Sequence, residues 1–216
     1  MDFATARTNM VKSQLVPNGI NDDTILGSFN QVAREQFIND QFRDFSYSDY
    51  PIPVAEGKRR QLKPLQMAWM IQALKVTAGD RVLVIGAGTG YEAAVLEKMG
   101  AEVHALENDA ALIENGKKAT DGLNITWHSG KLDEGVADVA PFDAILFCGA
   151  VGQVPAKAVG QMAKTGRLMV ITGEKDAPVM SAVRMEGVSG ADHPESMFET
   201  VADFLPGLEP PERFVL

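Results

Sequence analysis

From residue 79 onward, the chain alternates short apolar runs with stretches of helical pattern. The runs are apolar at nearly every position, and in order they read RVLVIG, AEVHALE, NITWH, FDAILFCG and GRLMVITG. The intervening segments have helical spacing, which predicts helices near 90–99, 109–120 and 154–164. Apolar strands separated by helices are typical of a parallel sheet that is covered on both faces. The sequence therefore predicts an α/β fold with a mostly parallel sheet.

The segments on either side of this core have other patterns. Helical spacing over 5–16, and again after a candidate cap at Asn21 or Asp22, predicts two short N-terminal helices. Residues 40–64 lose this periodicity and contain three prolines, which predicts an extended, loop-rich segment. The stretch LQMAWMIQAL then predicts a buried helix. The C-terminal part alternates like antiparallel strands, with a predicted core of Phe198, Val201, Phe204 and Leu205. One domain with a helical N-terminal cap is expected.

Composition limits the partners and the compartment. The chain has 29 acidic and 20 basic residues and a net charge of −9, which argues against a nucleic-acid partner. No apolar run approaches the ~20 residues of a membrane span, and the N-terminus lacks the apolar core of a secretory signal. A single cysteine suits a reducing compartment, so the cytoplasm is expected. No metal site is expected, because the histidines are widely scattered, at His104, His128 and His193.

A glycine-rich turn follows the first strand of the core, in VLVIGAGTGY. Its glycines Gly86, Gly88 and Gly90 permit positive φ and a close approach of a ligand to the backbone. The third glycine of a dinucleotide fingerprint would fall at position 91, which is a tyrosine. Glu107 ends the second strand, where a carboxylate can accept hydrogen bonds from both ribose hydroxyls. The pattern favours a nucleoside without a diphosphate, such as S-adenosylmethionine, over glycines that merely form a tight turn.

Several stretches match the pattern of one known family. The N-terminal matches are Arg7, Met10-Val11, Gln14-Leu15, Gly19-Ile20, Asp22, Ile25-Leu26, Val32, Arg34-Glu35 and Phe37. Tyr47 and Asp49 match two residues that precede the family's active-site loop. The stretch VLVIGAGTGYEAAVLEKMGAEVHALE is similar to its cofactor motif, and APFDAILFCGA is similar to its fourth-strand motif. From about residue 5 to the early 170s, the chain therefore resembles the protein-L-isoaspartate O-methyltransferases.

The resemblance implies a Rossmann-like S-adenosylmethionine-dependent methyltransferase fold, with helices on both faces of the sheet and a single domain over 1–216. Within it, 1–78 would form the N-terminal cap and active-site loop, 79–175 the cofactor-binding core, and 176–216 the C-terminal strands. The implied reaction transfers the methyl group of S-adenosylmethionine to the free carboxylate of an L-isoaspartyl residue, so damaged proteins or peptides are the expected substrates.

The resemblance also implies which residues form the site. Those expected to bind the cofactor are Gly86, Ala87, Gly88, Thr89, Gly90, Glu107, Asn108, Lys131 and Leu132. Those expected beside the substrate are Arg60, Gln61 and Leu62. No residue is assigned to proton transfer, because a carboxylate is already a nucleophile at neutral pH. The enzyme needs mainly to position the reactants and to exclude water.

Three positions differ from the family's pattern. Val84 stands where the family has an acidic residue, and Leu62 stands where its active-site loop has a serine. Lys131 stands where an aspartate contacts the adenine, although Asp133 could take that role after a small shift in register. These differences support an alternative hypothesis, a non-catalytic methyltransferase-like protein that has lost cofactor binding and acts as an interaction or regulatory module. The retained glycines and Glu107 support the enzyme.

A basic cluster lies in the same loop and consists of Lys58, Arg59, Arg60 and Lys63. Such a concentration of positive charge is unusual in an acidic chain. Two interpretations are open. The cluster is a solvated loop, or it is an anion-binding lip for a substrate that carries a carboxylate.

Overall fold

A seven-stranded sheet forms the centre of the molecule in a computed structural model that describes residues 1–55, 59–187 and 194–211. In chain order the strands are Ile52–Ala55 (β1), Arg59–Gln61 (β2), Arg81–Ile85 (β3), Glu102–Glu107 (β4), Ile125–Ser129 (β5), Phe142–Val151 (β6), Met162–Thr172 (β7), Met180–Glu186 (β8) and Glu195–Thr200 (β9). The strand order of the central sheet is β5-β4-β3-β6-β7-β8-β9. The five neighbouring strands β5, β4, β3, β6 and β7 are parallel to one another, and β8 is antiparallel to both of its neighbours. Lys58 and His193 lie outside the described residues.

The helices precede the sheet in sequence or connect its strands. They are Phe3–Met10 (α1), Asp23–Gln31 (α2), Pro64–Leu74 (α3), Tyr91–Lys98 (α4), Ala110–Ala119 (α5) and Ala156–Val159 (α6). A π-helical turn, Val11–Leu15, and a 3-10 turn, Val16–Asn18, extend α1. Further 3-10 turns are Arg34–Phe37, Asp40–Phe45 and Ala137–Val139. No helix in these described ranges is long and apolar enough to cross a membrane.

Side-chain caps explain where two of the helices begin. The Asp22 carboxylate accepts hydrogen bonds from the backbone N–H groups of Thr24 and Ile25, which confirms Asp22 rather than Asn21 as the cap of α2. The Asp109 carboxylate caps α5 in the same way. The cap of α5 places its first turn directly after Glu107, at the edge of the sheet where the parallel strands end.

The two faces of the sheet are covered unequally. In β3, Val82 and Val84 pack into a core with helices α1 to α4, whereas Leu83 and Ile85 point to the other face. The second face is covered by short elements, among them α6, the turn Ala137–Val139 and the segment around Leu205. The sheet is therefore enclosed on both sides, with the long helices concentrated on one face.

Four expectations need correction. The helix expected over 154–164 is only α6, because β7 already begins at Met162. β5 is an edge strand, so its residues are intermediate or exposed instead of being continuously buried. The segment expected to be an extended loop contains a 3-10 turn and the antiparallel hairpin of β1 and β2. Val201 is 57% exposed because β9 ends at Thr200, whereas Leu205 is buried as expected.

Candidate functional site

The glycine loop lies at the carboxyl end of β3, where it turns the chain into α4. Gly86, Gly88 and Gly90 have φ angles of 71°, 57° and 90°, a conformation that side chains other than glycine rarely adopt. The amides of Gly86 and Ala87 both donate to the carbonyl of Leu106, at 2.9 and 3.1 Å. The Thr89 hydroxyl donates to the carbonyl of Phe37 at 2.8 Å. The loop is thereby fixed both to β4 and to the N-terminal cap.

The three glycines have different surroundings. A Cβ atom at Gly86 would collide with Leu205 and would lie 3.0 Å from Arg59 Nη2, and one at Gly90 would collide with Trp127. A Cβ atom at Gly88 would lie 3.8 Å from Arg59 Nη2, with no closer atom among the described residues beyond its chain neighbours. Gly88 is thus the glycine of this loop whose backbone borders the space beside the loop rather than a packed side chain.

Glu107, at the end of β4, directs its carboxylate at this loop. The side chain is fully buried, and its Oε2 accepts a hydrogen bond from the Gly88 amide at 2.7 Å. Its Oε1 accepts from the amides of Asn108 and Asp109, at 2.9 and 3.2 Å. These backbone donors hold the carboxylate in the position that the sequence predicted for ribose recognition.

The guanidinium of Arg59 lies between the glycine loop and Glu107. Its Nη1 is 2.8 Å from Glu107 Oε2, and its Nη2 donates to the carbonyl of Gly86. Only 7% of the Arg59 side chain is exposed. The interpretation of the basic cluster as a solvated loop is therefore wrong for Arg59. The sequence could not reveal this contact, because Arg59 and Glu107 are 48 positions apart.

Two further titratable side chains border this space. Glu92, in the first turn of α4, and Cys148, in β6, line it together with Arg59 and the glycine loop. Burial raises the pKa of the Glu92 carboxyl, which the nearby Arg34 and Arg59 partly oppose. Burial, and then the charge of Glu92, raise the pKa of the Cys148 thiol. The surroundings of the loop thus disfavour uncompensated negative charge.

Arg34 connects the N-terminal cap to β2 and the loop that follows. It is completely buried, with its Nε 3.1 Å from Gln61 Oε1 and its Nη2 2.9 Å from the carbonyl of Leu62. The guanidinium also lies over the Tyr91 ring, 5.3 Å from the ring centroid. Its burial lowers the pKa of Arg34. Arg34 belongs to the N-terminal pattern in the sequence, which does not predict its contacts with Gln61 and Leu62.

The residues expected beside the substrate differ in exposure. Arg60 is exposed, and both its backbone amide and its Nε donate to Asp203 Oδ2 at 2.9 Å. Gln61 and Leu62 are buried and contact Arg34. Arg60 is therefore the member of this group that the structure presents to solvent.

The remaining expected cofactor residues lie at the same edge of the sheet. Asn108 directly follows Glu107 and is exposed. The strand β5 pairs its last residue, Ser129, with Glu107, and the Gly130 amide donates to the Glu107 carbonyl at 3.2 Å. Lys131 comes next and is exposed, whereas Leu132 is buried in the core of the second face.

Two of the scattered histidines meet in the fold. His104 Nδ1 and His128 Nε2 are 3.0 Å apart on the neighbouring strands β4 and β5, and His104 Nε2 is 3.2 Å from Glu102 Oε1. Among the described residues, no group of three or more His, Cys, Asp or Glu side chains is arranged to hold a metal ion.

The geometry defines a class of protein. A parallel sheet whose first core strand ends in a glycine loop, with a carboxylate at the end of the next strand, is the arrangement of α/β proteins that bind a nucleoside beyond the carboxyl ends of their strands. The residues present fit such a ligand, because the Gly88 backbone borders the space and the Glu107 carboxylate can accept bonds from hydroxyl groups.

Comparison with known proteins narrows this class to one family. The model of the protein-L-isoaspartate (D-aspartate) O-methyltransferase family matches residues 6–203. A protein-L-isoaspartate O-methyltransferase of Roseiflexus sp. is 41% identical over 190 residues, which are 87% of this chain and 86% of that protein. Another from Methylorubrum extorquens is 41% identical over 174 residues, 80% of this chain and 76% of that protein. This chain belongs to the protein-L-isoaspartate O-methyltransferase family.

Solved structures agree with this fold. A protein-L-isoaspartate O-methyltransferase structure superimposes with a TM-score of 0.81 at 24% identity, over 95% of this chain and 67% of that one. A Plasmodium falciparum protein of the same description, in complex with S-adenosyl-L-homocysteine, gives a TM-score of 0.73 at 18% identity, over 94% of this chain and 97% of that one. The fold is therefore the Rossmann-like methyltransferase fold.

Proposed function

We propose that this protein is an S-adenosylmethionine-dependent carboxyl methyltransferase that acts on L-isoaspartyl residues of damaged proteins. The observation that carries the proposal is the family match over residues 6–203, together with relatives of that name at 41% identity across most of the chain. The site supports it, because the glycine loop and Glu107 form a nucleoside-binding edge of the sheet. The non-catalytic alternative receives no support from these relatives.

The proposed roles of the residues follow from where they lie. When bound, S-adenosylmethionine supplies an activated methyl group on its sulfonium sulfur. Glu107 would accept hydrogen bonds from the ribose hydroxyls, while the backbone around Gly88 would border the ligand closely. Asn108 and Lys131 are exposed at the ends of β4 and β5 and would border the remainder of the nucleoside, whereas Leu132 is buried in the core of the second face and would support this edge from below.

The acceptor requires little acid–base chemistry from the protein. The isoaspartyl carboxylate is ionised at neutral pH, so the site must align it with the methyl group and exclude water. Half-exposed Arg60 would offer the acceptor carboxylate the guanidinium N–H groups that do not bond Asp203. Its bidentate contact with Asp203 fixes the orientation of the guanidinium.

The proposed substrates are proteins or peptides, and the proposed compartment is the cytoplasm. The net charge of −9 disfavours a nucleic-acid partner, and the single cysteine suits a reducing environment.

The proposal is tested by methyl transfer from labelled S-adenosylmethionine to an isoaspartyl peptide, with the same peptide containing ordinary aspartate as the control substrate. We expect methylation of the isoaspartyl peptide alone. Methylation of neither peptide by a folded protein that binds the cofactor would contradict the proposed acceptor.

The cofactor part of the proposal is tested with Glu107→Ala. We expect this variant to bind S-adenosylhomocysteine at least about tenfold more weakly in calorimetric titration, because the ribose loses a charged hydrogen-bond acceptor worth ~1.5–3 kcal/mol. The matched control is Glu114→Ala, since Glu114 is an exposed glutamate on the outer surface of α5. Equal affinity in Glu107→Ala and wild type would remove Glu107 from the site.

A further inference from the structure

Arg59 holds the place at Glu107 that the proposed function assigns to the ribose. The guanidinium contacts Glu107 Oε2 at 2.8 Å and the carbonyl of Gly86, and it is almost fully buried. Any role of Arg59 toward a ligand rests on the proposed function, because the nucleoside would bind at the same carboxylate.

The hydrogen-bonding capacity of Glu107 is already used. A carboxylate offers about four acceptor positions. The amides of Gly88, Asn108 and Asp109 and the guanidinium of Arg59 account for four donors. The backbone amides belong to the glycine loop and to the two residues that lead into α5, so they cannot leave Glu107 without unfolding these segments. The side chain of Arg59 is the donor that a ribose hydroxyl can replace.

The volume beside the loop leads to the same conclusion. The cavity bordered by Arg59, Glu92, Cys148 and the glycine loop measures about 10 Å³. A cavity of that size barely holds a single water molecule. A nucleoside therefore cannot enter beside Arg59, and it requires that the guanidinium move out.

The backbone of β2 is anchored on both sides of the strand. The Arg60 amide donates to Asp203, while the Leu62 carbonyl and the Gln61 side chain are held by Arg34. These contacts are independent of Glu107. The movement that frees the site is thus a rotation of the Arg59 side chain with the strand remaining in place.

We propose that Arg59 is an internal competitor of the nucleoside, which closes the cofactor site by pairing with Glu107 and swings out when the cofactor binds. The observed affinity for the cofactor is then the intrinsic affinity of the open site multiplied by the fraction of molecules in which Arg59 points away from Glu107. A minor state of that kind typically has a population of ~0.1–10%.

The first test compares S-adenosylhomocysteine binding by calorimetry in wild type and Arg59→Gln. If the open state is populated at 10% or less, removing the competitor tightens binding by about tenfold or more. The matched control is Arg167→Gln, which also removes a guanidinium bonded to a carboxylate, Asp80, and to backbone carbonyls. We expect the control to bind like wild type. Unchanged or weaker binding by Arg59→Gln would overturn the proposal.

The second test follows Arg59 in the wild-type protein and uses a variant only to assign its NMR signal. In NMR spectra of the arginine side chains, wild type should show one guanidinium signal that is protected from hydrogen exchange. This signal should be absent from the spectrum of Arg59→Lys, which assigns it to Arg59. Saturation with S-adenosylhomocysteine should remove that protection. Protection that persists in the saturated protein would show that Arg59 stays at Glu107 and would overturn the proposal.

The two proposals fail in different ways. If neither wild type nor Arg59→Gln binds S-adenosylhomocysteine while both are folded, the proposed cofactor is wrong, and the proposed competition by Arg59 is refuted as well. If wild type binds but Arg59→Gln binds no tighter, the proposed function stands and only the role of Arg59 is refuted.

Discussion

Gly86, Gly88 and Gly90 share a positive φ but face different neighbours, so their substitution should have different consequences. Side chains at Gly86 or Gly90 would disturb the packing of Leu205 or Trp127. A side chain at Gly88 would enter the space beside Arg59 and Glu107 instead. Gly88 therefore allows the ligand site to be altered with limited damage to the core.

We expect Gly88→Val to abolish methyl transfer and cofactor binding while the protein remains folded. The backbone strain of a side chain at φ 57° should lower the free energy of unfolding by about 1–2 kcal/mol. Calorimetric titration and urea unfolding measure the two effects. Gly122→Val is the control, since Gly122 has a φ of 78° and nothing within 4 Å of its added Cβ. Wild-type activity in Gly88→Val would refute the assignment of the loop.

Among the elements, the N-terminal helices hold β2 and the residue that follows it through one buried arginine, Arg34. Arg34 follows α2 and holds the Leu62 carbonyl and the Gln61 side chain. The cap is also joined to the loop region by Tyr47, whose hydroxyl accepts from the Arg34 amide at 3.2 Å and donates to Glu35. The cap is therefore part of the architecture of the site.

We expect Arg34→Ala to lower the free energy of unfolding by about 2–4 kcal/mol, because two buried acceptors lose a charged donor and a cavity remains. Faster hydrogen exchange at the amides of β2 should accompany this loss. Urea unfolding and exchange mass spectrometry provide the measurements. Arg43→Ala, which removes a half-exposed arginine paired with Asp40, should change stability by less than ~0.5 kcal/mol. Equal effects of the two substitutions would contradict the anchoring role.

The edge strand β5 and its neighbour β4 bring His104 and His128 together, and His104 also contacts Glu102. Burial, and then the neighbouring His104, lower the pKa of His128 from its ordinary value of 6.5. The unfolded chain consequently binds a proton just below pH 6.5 that the folded chain does not. The free energy of unfolding therefore keeps its full value above that pH and decreases as the pH falls through it.

We therefore expect wild type to lose stability between pH 7.5 and pH 5.5 more steeply than His128→Gln, which cannot bind that proton. Urea unfolding at both pH values gives the comparison. Parallel pH profiles for the two proteins would show that His128 contributes nothing to this dependence.

In the whole molecule, β6 crosses the centre of the sheet and brings the single cysteine beside the glycine loop. Cys148 is buried between the core and the glycine loop. Its pKa is raised by burial, so the reactive thiolate is disfavoured in the native protein. Cys148 is thereby a probe of how often the centre of the molecule opens.

We expect Cys148 to react with a disulfide reagent such as dithionitrobenzoate at least about a hundredfold more slowly in the native protein than in urea, since reaction requires opening of the core. Bound S-adenosylhomocysteine should slow the reaction further, because it stabilises the native state. Absorbance of the released thiolate follows the rate. Reaction of the native protein at the rate of a free thiol would contradict this placement.

Much of the architecture was predictable because it depends on local pattern. Continuous apolar runs and helical spacing predicted the parallel core, the helix Pro64–Leu74 and the antiparallel C-terminal strands. The glycine loop and Glu107 were recognisable because chain geometry places both at the same edge of a parallel sheet. Local pattern failed at 154–164 and at Val201, where the ends of strands depend on pairing with distant residues.

Residues adjacent in the chain or one strand apart were enough to predict the fold class, the family resemblance and the position of the glycine loop. Which polar groups meet became evident only from how the chain packs in three dimensions. In the folded chain, Arg59 pairs with Glu107, Arg34 donates to the Leu62 carbonyl, and His104 contacts His128. The reason is physical: a buried charge requires a partner, and the partner is chosen by packing in three dimensions rather than by proximity in sequence.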